Sequence, residues 1–373
     1  MGSKNKDTTK KTSIGGQALI EGIMMKGVSK GAMAVRLPDG SIDVEDWDIK
    51  PKKWYNKCPV IRGSINFVQQ LREGYSCLMK SADKSGMMDD DSEEEQSKFE
   101  KWLDDKFGDK LTGAIMAIAM VIGIALAVFL FLLLPSYIFT GIEALLPMEP
   151  MNALSGLLPG LPEGSYVMVK SVDISGWRTV FEGVMKIVIF VAYMWVTSLT
   201  KDMHRMYRYH GAEHKTIACY EAGKPLTVEN IRPMTRFHPR CGTSFIIITL
   251  LVSILVYSVV PITPELFKDL LNTSSDTIAI MLRTICKLLL LPIVVGFAYE
   301  LIKLAGRCDN IVTRIFSAPG LWMQRITTKE PDDSMIQVAI AAVEEVFDWK
   351  KYLEENFPET YPAGYFEEQE KLA

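Results

Sequence analysis

Residues 111–135 read LTGAIMAIAMVIGIALAVFLFLLLP. The run carries no charge, and as a helix rising about 1.5 Å per residue it would cross the roughly 30 Å hydrocarbon core of a bilayer. It is apolar all round, so it cannot serve as the half-wetted face of a soluble domain. Three more runs repeat the pattern, at 178–200, 244–262 and 278–305. The fold class follows: a mainly α, polytopic helical membrane protein with four spans. The 48% of apolar residues is concentrated in these runs, with charged blocks between them.

Lys and Arg in the connecting segments set the expected orientation. The segment 201–243 holds eight of them, whereas 263–277 holds one and 136–178 holds two. The 201–243 segment and both termini are therefore expected in the cytoplasm, in a bacterial plasma membrane. A net charge of −4 offers no basic field for nucleic acid, and membrane lipid is the expected environment. Glu21 interrupts the only apolar stretch near the N-terminus, so no cleavable signal is expected and the first span would act as an uncleaved anchor. The six cysteines form no CxxC and no disulfide pattern.

Charges inside spans are costly and often functional. Glu182, Lys186, Arg283 and Lys287 lie toward the outer ends of spans two and four, where mutual pairing or snorkelling would account for them. Glu300 lies near the inner end of span four, and the plain reading pairs it with Lys303 one turn on.

Residues 1–88 are predicted to form a small cytoplasmic α+β domain. GGQALIEGIMMKG, AMAVRL and SIDVEDWDI have strand character around a PDGS turn, and the stretch after Pro59 is an amphipathic helix. Residues 89–110 form an acidic linker and lead-in helix, with DDDSEEE at 89–95. Residues 136–177 form an extracytoplasmic loop, 263–277 a short one, and 306–373 a cytoplasmic tail. That tail carries a helix whose Ile336, Ile340, Val343 and Phe347 share one face.

The chemistry gathers in 201–243. All four histidines fall between 204 and 238. Residues from about 194 to 222 have helical periodicity, ended by Gly223 and Pro225. On that helix His210 and His214 stand one turn apart and could share one ion. With Glu213 they spell HxxEH, the inverted zinc-hydrolase arrangement in which the Glu acts as general base. HPRC adds His238 and Cys241, a second close pair of donors. Nitrogen and sulfur donors favour zinc, with other divalent metals open. Four donors would close a structural site, whereas three plus an open place would suit catalysis. Glu221 and Glu300 are further candidate oxygen ligands. The plain alternative is a set of interfacial histidines with satisfied hydrogen bonds. His204 and Cys219 fall off the ligand face.

Several blocks together resemble one family: GGQALIEGIMMKG, PVIRG, LREGYSCLMKSA, YHGAEHKTIACYEAG, LTVENIR, HPRCGTSF, AYELIKLAG and EPDDSMIQVAIAAVEEV. In this order they resemble the bacterial YqhQ family of multispanning membrane proteins, described as metal-dependent enzymes without an established reaction. The resemblance implies that His210, Glu213, His214, His238 and Cys241 form the functional core, and it includes Glu21, Arg62 and Glu300. Two functions are compatible with it. One is a metal-dependent hydrolase acting on a peptide or amphiphile at the membrane surface. The other is a membrane scaffold or assembly factor with a structural zinc and a protein partner. Transport through four spans is a weaker third.

Overall fold

The computed structural model describes residues 12, 14–50, 54–86, 109–146, 148–151, 167–170, 174–239, 241–260, 262–307 and 311–372. The acidic run 89–95 and Cys308 lie outside them. In chain order the elements are strands β1 (Gly15–Leu19), β2 (Gly22–Lys26), β3 (Lys30–Arg36) and β4 (Ile42–Asp48), then helix α1 (Ile61–Lys84). Helix α2 (Asp109–Val128) continues through a π-helical segment, Phe129–Leu133, into α3 (Leu134–Leu145). A hairpin of β5 (Met148–Met151) and β6 (Val167–Lys170) precedes α4 (Arg178–Thr197) and α5 (Lys201–Glu221). There follow α6 (Val228–Ile231), α7 (Gly242–Val259), α8 (Pro264–Leu271), α9 (Asp276–Arg307), α10 (Ile311–Thr327), α11 (Asp333–Val346), α12 (Trp349–Asn356) and α13 (Tyr365–Leu372).

Four stretches are long and apolar enough to cross a membrane: Met120–Leu145, Arg178–Thr197, Gly242–Val259 and Asp276–Leu304. The first runs beyond Pro135, where the sequence reading ended it. Proline lacks an N–H and crowds the preceding turn, and the π-helical turn just before it lets the helix carry on. A second difference lies between α4 and α5, which the periodicity joins but the structure separates at 198–200. There the hydroxyls of Thr197, Ser198 and Thr200 each donate to the carbonyl three residues back, competing with the helical ladder.

The chain forms two compact units. One combines residues 1–106, 191–249 and 292–373. Its centre is the antiparallel meander β1-β2-β3-β4, held by β-ladders such as Leu19↔Gly22 and Gly22↔Val35. Both faces of β2 and β3 are covered, which explains why these strands read as near-continuous apolar runs instead of alternating. Leu19, Met24, Met33 and Val35 pack with Cys77 of α1. Ile23, Met25 and Ala34 pack with Tyr209, Ala212 and Ile217 of α5 and with Ile336, Ala339 and Val343 of α11. The sheet is thus closed by helices from distant parts of the chain. Strand β4 forms the other edge and is lined with charge: Asp43 and Glu45 pair with Lys84, and Asp46 with Lys30.

The other unit combines 107–190 and 250–291. Its core is ionic as well as apolar. Both oxygens of buried Glu182 are used: Oε1 accepts from Arg283 and from the Ser136 hydroxyl at 2.8 Å, and Oε2 from Lys287 at 2.8 Å. Lys186, one turn along α4 and equally buried, has no carboxylate within ion-pair distance among the described residues and lies 5.8 Å from the Tyr257 ring. The span charges are mutually paired, as the sequence suggested, except at Lys186.

Candidate metal centre

Helix α5 starts after Thr200, whose extended backbone (ψ 146) breaks it from α4, and ends where Gly223 turns left-handed at φ 75. Between these limits His210 and His214 face the same side, with ring centroids 4.4 Å apart. Each imidazole is oriented from behind by a backbone carbonyl. His210 Nδ1–H donates to Thr327 O at 2.8 Å, and His214 Nδ1–H donates to Arg236 O at 2.6 Å. A carbonyl can only accept, so each ring carries a proton on Nδ1, and Nε2 is the nitrogen left to face Cys241 or a bound ion.

Both carbonyls are brought in by local features. At Gly211 the Lys329 carbonyl sits where a Cβ would be, and Lys329 N–H donates to Tyr207 O at 2.8 Å. That contact lays residues 327–329 along α5 and puts Thr327 O beside His210. Arg236 is held by an ion pair to Glu330 at 2.8 Å, and Glu330 also takes Lys215 of α5 at 2.5 Å.

Cys241 closes the group. Its Sγ lies 3.1 Å from His210 Nε2 and accepts from Thr243 N–H at 3.4 Å. The donor atoms of His210, His214 and Cys241 all lie within 4.8 Å of one another. His238 stands outside this group, its ring centroid 5.6 Å from that of His214. Its backbone is clamped by Gln324: Gln324 Oε1 accepts from His238 N–H at 2.7 Å and Nε2 donates to His238 O at 2.6 Å. Gln324 is fully buried and fixes the HPRC turn that delivers Cys241.

Burial raises the cost of a thiolate at Cys241, but His210 and His214 outweigh it and hold the thiol well below its ordinary range. Burial likewise opposes charge on His210, and the neighbouring Cys241 overcomes it, so His210 is pushed up to about 9. Glu213 is buried on the same helix turn, and burial pushes its carboxyl up. Its Oε2 has no hydrogen-bond partner. Gly16 of β1 makes room for it: a Cβ there would stand 3.0 Å from the Glu213 carboxyl carbon.

These residues fit a zinc ion. The donor set is two neutral imidazoles and a thiolate, soft enough for zinc and unsuited to magnesium or calcium. Zinc–ligand bonds of about 2.0–2.3 Å separate neighbouring donors by roughly 3.5 Å, close to the spacing present.

The other candidate residues lie elsewhere. Glu221 accepts from the Thr12 backbone at 2.7 Å and hydroxyl at 2.9 Å. Glu300 takes a bidentate pair from Arg62, Nε at 2.6 Å, where the sequence pointed to Lys303. Glu21, at φ 49 in the β1–β2 turn, binds Arg205 and accepts from Tyr209 at 3.0 Å, so it docks the hairpin on α5. Cys219 is fully buried with its thiol against the 224 and 225 carbonyls, and His204 lies at the start of α5. Sequence reasoning missed Gln324, Thr327 and Gly211. Gly16 belongs to the glycine-rich stretch whose composition suggests close backbone approach, and the structure shows that approach, to Met24 O and the Glu213 carboxyl.

The family described as "Protein of unknown function (DUF1385)" matches residues 58–349. The protein YqhQ of Bacillus subtilis (strain 168), described as uncharacterized, is 30% identical over 346 residues, 92% of this chain and 94% of that protein. No solved structure matches. A match over most of the chain, together with the shared length of the relative, assigns the chain to the DUF1385 family, as a member of the YqhQ family of membrane proteins.

Proposed function

We propose that this membrane protein holds zinc at the cytoplasmic membrane boundary through His210, His214 and Cys241 and is a metal-dependent hydrolase with Glu213 as general base. The observation that carries the reading is Glu213 Oε2, a buried oxygen without a partner in the helical turn between the two histidines. Leaving a buried acceptor unmade costs about 1–3 kcal/mol, and a structural clamp has no use for it. Three donors instead of four leave one coordination place for substrate.

Zinc in such a site supplies a Lewis acid and a water that ionises near neutral pH. The chain's own residues do the rest. The Thr327 and Arg236 carbonyls hold both Nε2 atoms inward, and Glu213 stands ready to take a proton. Cys241 immediately precedes the apolar helix Gly242–Val259, which favours a peptide or amphiphile delivered along the bilayer. The Lys and Arg of 201–243 support an orientation with this segment and both termini in the cytoplasm.

A second reading is a scaffold or assembly factor whose zinc only clamps residues 201–243. It draws on the burial of His214 and Cys241. Elemental analysis and cobalt substitution separate the two. Purified protein is expected to hold one zinc per chain, lost in His210→Ala and Cys241→Ser and kept in Glu213→Gln. Added azide is expected to shift the visible bands of the cobalt form by entering the open place. Bands indifferent to azide would favour the clamp, and metal-free protein that binds no zinc would remove both readings.

A further inference from the structure

Helix α1 belongs by sequence to a soluble domain, yet its first half packs against the part of α9 that lies within a membrane-spanning stretch. Arg62 pairs with Glu300, the Ser64 hydroxyl donates to Pro292 O at 2.5 Å, and Asn66 donates to the Tyr299 hydroxyl at 3.1 Å. Gly63 meets Tyr299 and Gly296 so closely that a Cβ would collide with the Tyr299 Cβ. Phe67 lies on Phe245, near the start of the span Gly242–Val259, with centroids 5.4 Å apart. Pro292 is a dozen residues inside the span end at Leu304, about 18 Å of helix. The start of α1 therefore sits at membrane depth.

The exposed side of α1 matches that depth. Ile61, Val68, Leu71 and Tyr75 are 49%, 63%, 56% and 52% exposed. Ile61, Ile65, Val68 and Tyr75 repeat at helical spacing and form one stripe, and the first charge on that side is Arg72. Exposed Gln69 and Arg72 interrupt the stripe, and beyond Tyr75 the exposed positions are polar, with Ser76, Lys80 and Asp83. The stripe thus runs from apolar to charged along one helix, as expected of a helix that enters a bilayer obliquely and leaves it toward the sheet. It continues the exposed apolar surface of α9, where Ile293 and Phe297 stand open. The entry turn is strained: Val60, a β-branched residue, is held at φ 67, and its backbone N–H reaches Glu300 Oε1 at 3.4 Å.

We propose that α1 is a membrane-inserted helix whose outer stripe of Ile61, Val68, Leu71 and Tyr75 contacts lipid acyl chains, so that the sheet is tethered to the bilayer by an element that does not cross it. The Arg62–Glu300 pair then neutralises the two charges carried to that depth.

The test is photocrosslinking of the full chain in nanodiscs of phosphatidylethanolamine and phosphatidylglycerol. p-Benzoylphenylalanine replaces Ile61, Val68, Leu71, Lys80 or Asp83 one at a time, and mass spectrometry reads the product after irradiation. A monodisperse elution profile and an unfolding temperature like that of the unsubstituted protein establish that each variant is folded. Lipid adducts are expected at 61, 68 and 71 and none at 80 and 83. Folded protein without lipid adducts at 68 and 71 would overturn the proposal, since the stripe would then face water. Adducts at those positions to a second protein chain would overturn it as well, in favour of a helix–helix interface between copies.

Discussion

The carbonyl of Lys329 occupies the place beside Gly211 that any larger residue would need for its Cβ. This one contact carries Thr327 O to His210 and so orients a candidate ligand from outside its own helix.

Gly211→Ala is therefore expected to act against the usual rule. In an ordinary helix interior the change adds about 1 kcal/mol of stability. Here residues 327–329 must move, at a cost of about 1–3 kcal/mol for overpacking. Thermal unfolding should fall by several degrees and zinc affinity should drop with it. A stabilised variant with unchanged zinc content would contradict the role given to this contact.

On the proposed zinc site, metal removal should destabilise the unit that contains the sheet. A ligand bound only by the folded state adds about 2.7 kcal/mol at a concentration a hundredfold above its dissociation constant. Treatment with a chelator is expected to lower the unfolding temperature, and zinc to restore it. The Cys241→Ser protein should respond to neither.

Burial pushes the Cys219 thiol up to about 12. In the unfolded chain a cysteine ionises near pH 8.5. Between these values the folded state binds a proton that the unfolded state has lost, so stability falls as pH rises from about 9 toward 12. Cys219→Ala removes this slope. Unfolding curves from pH 7 to 10 should show the wild-type protein losing stability more steeply than the variant above pH 9, and parallel curves would exclude the effect.

Glu182 and Lys186 should differ sharply. Glu182→Gln leaves Arg283 and Lys287 buried without their counter-charge, a loss of the kind that costs about 3–5 kcal/mol. Lys186→Met removes a buried charge that has no carboxylate partner among the described residues and should be neutral or stabilising. Thermal unfolding in detergent decides it, and equal losses would show that Lys186 shares the network.

The four spans, the strands and the helix at 61–84 were legible because each is a local pattern of charge-free length or periodicity. His210 and His214 were legible as a pair for the same reason, since 3.6 residues per turn puts them on one side of α5. The break at 198–200 was not, because three hydroxyls compete with the backbone ladder only by small increments.

By itself the sequence determined that the chain enters the membrane and that its donors occur as two short pairs. Tertiary structure decided which donors meet, and it gathered His210, His214 and Cys241 while holding His238 by its backbone on Gln324. It also decided where Glu300, Glu221 and Glu21 spend their charge, and that α1 packs on α9. The physical reason is range. Periodicity acts between neighbours on one element, whereas a carbonyl at 327 or a glycine at 16 reaches the site only through contacts far apart in sequence, whose partners no local pattern announces.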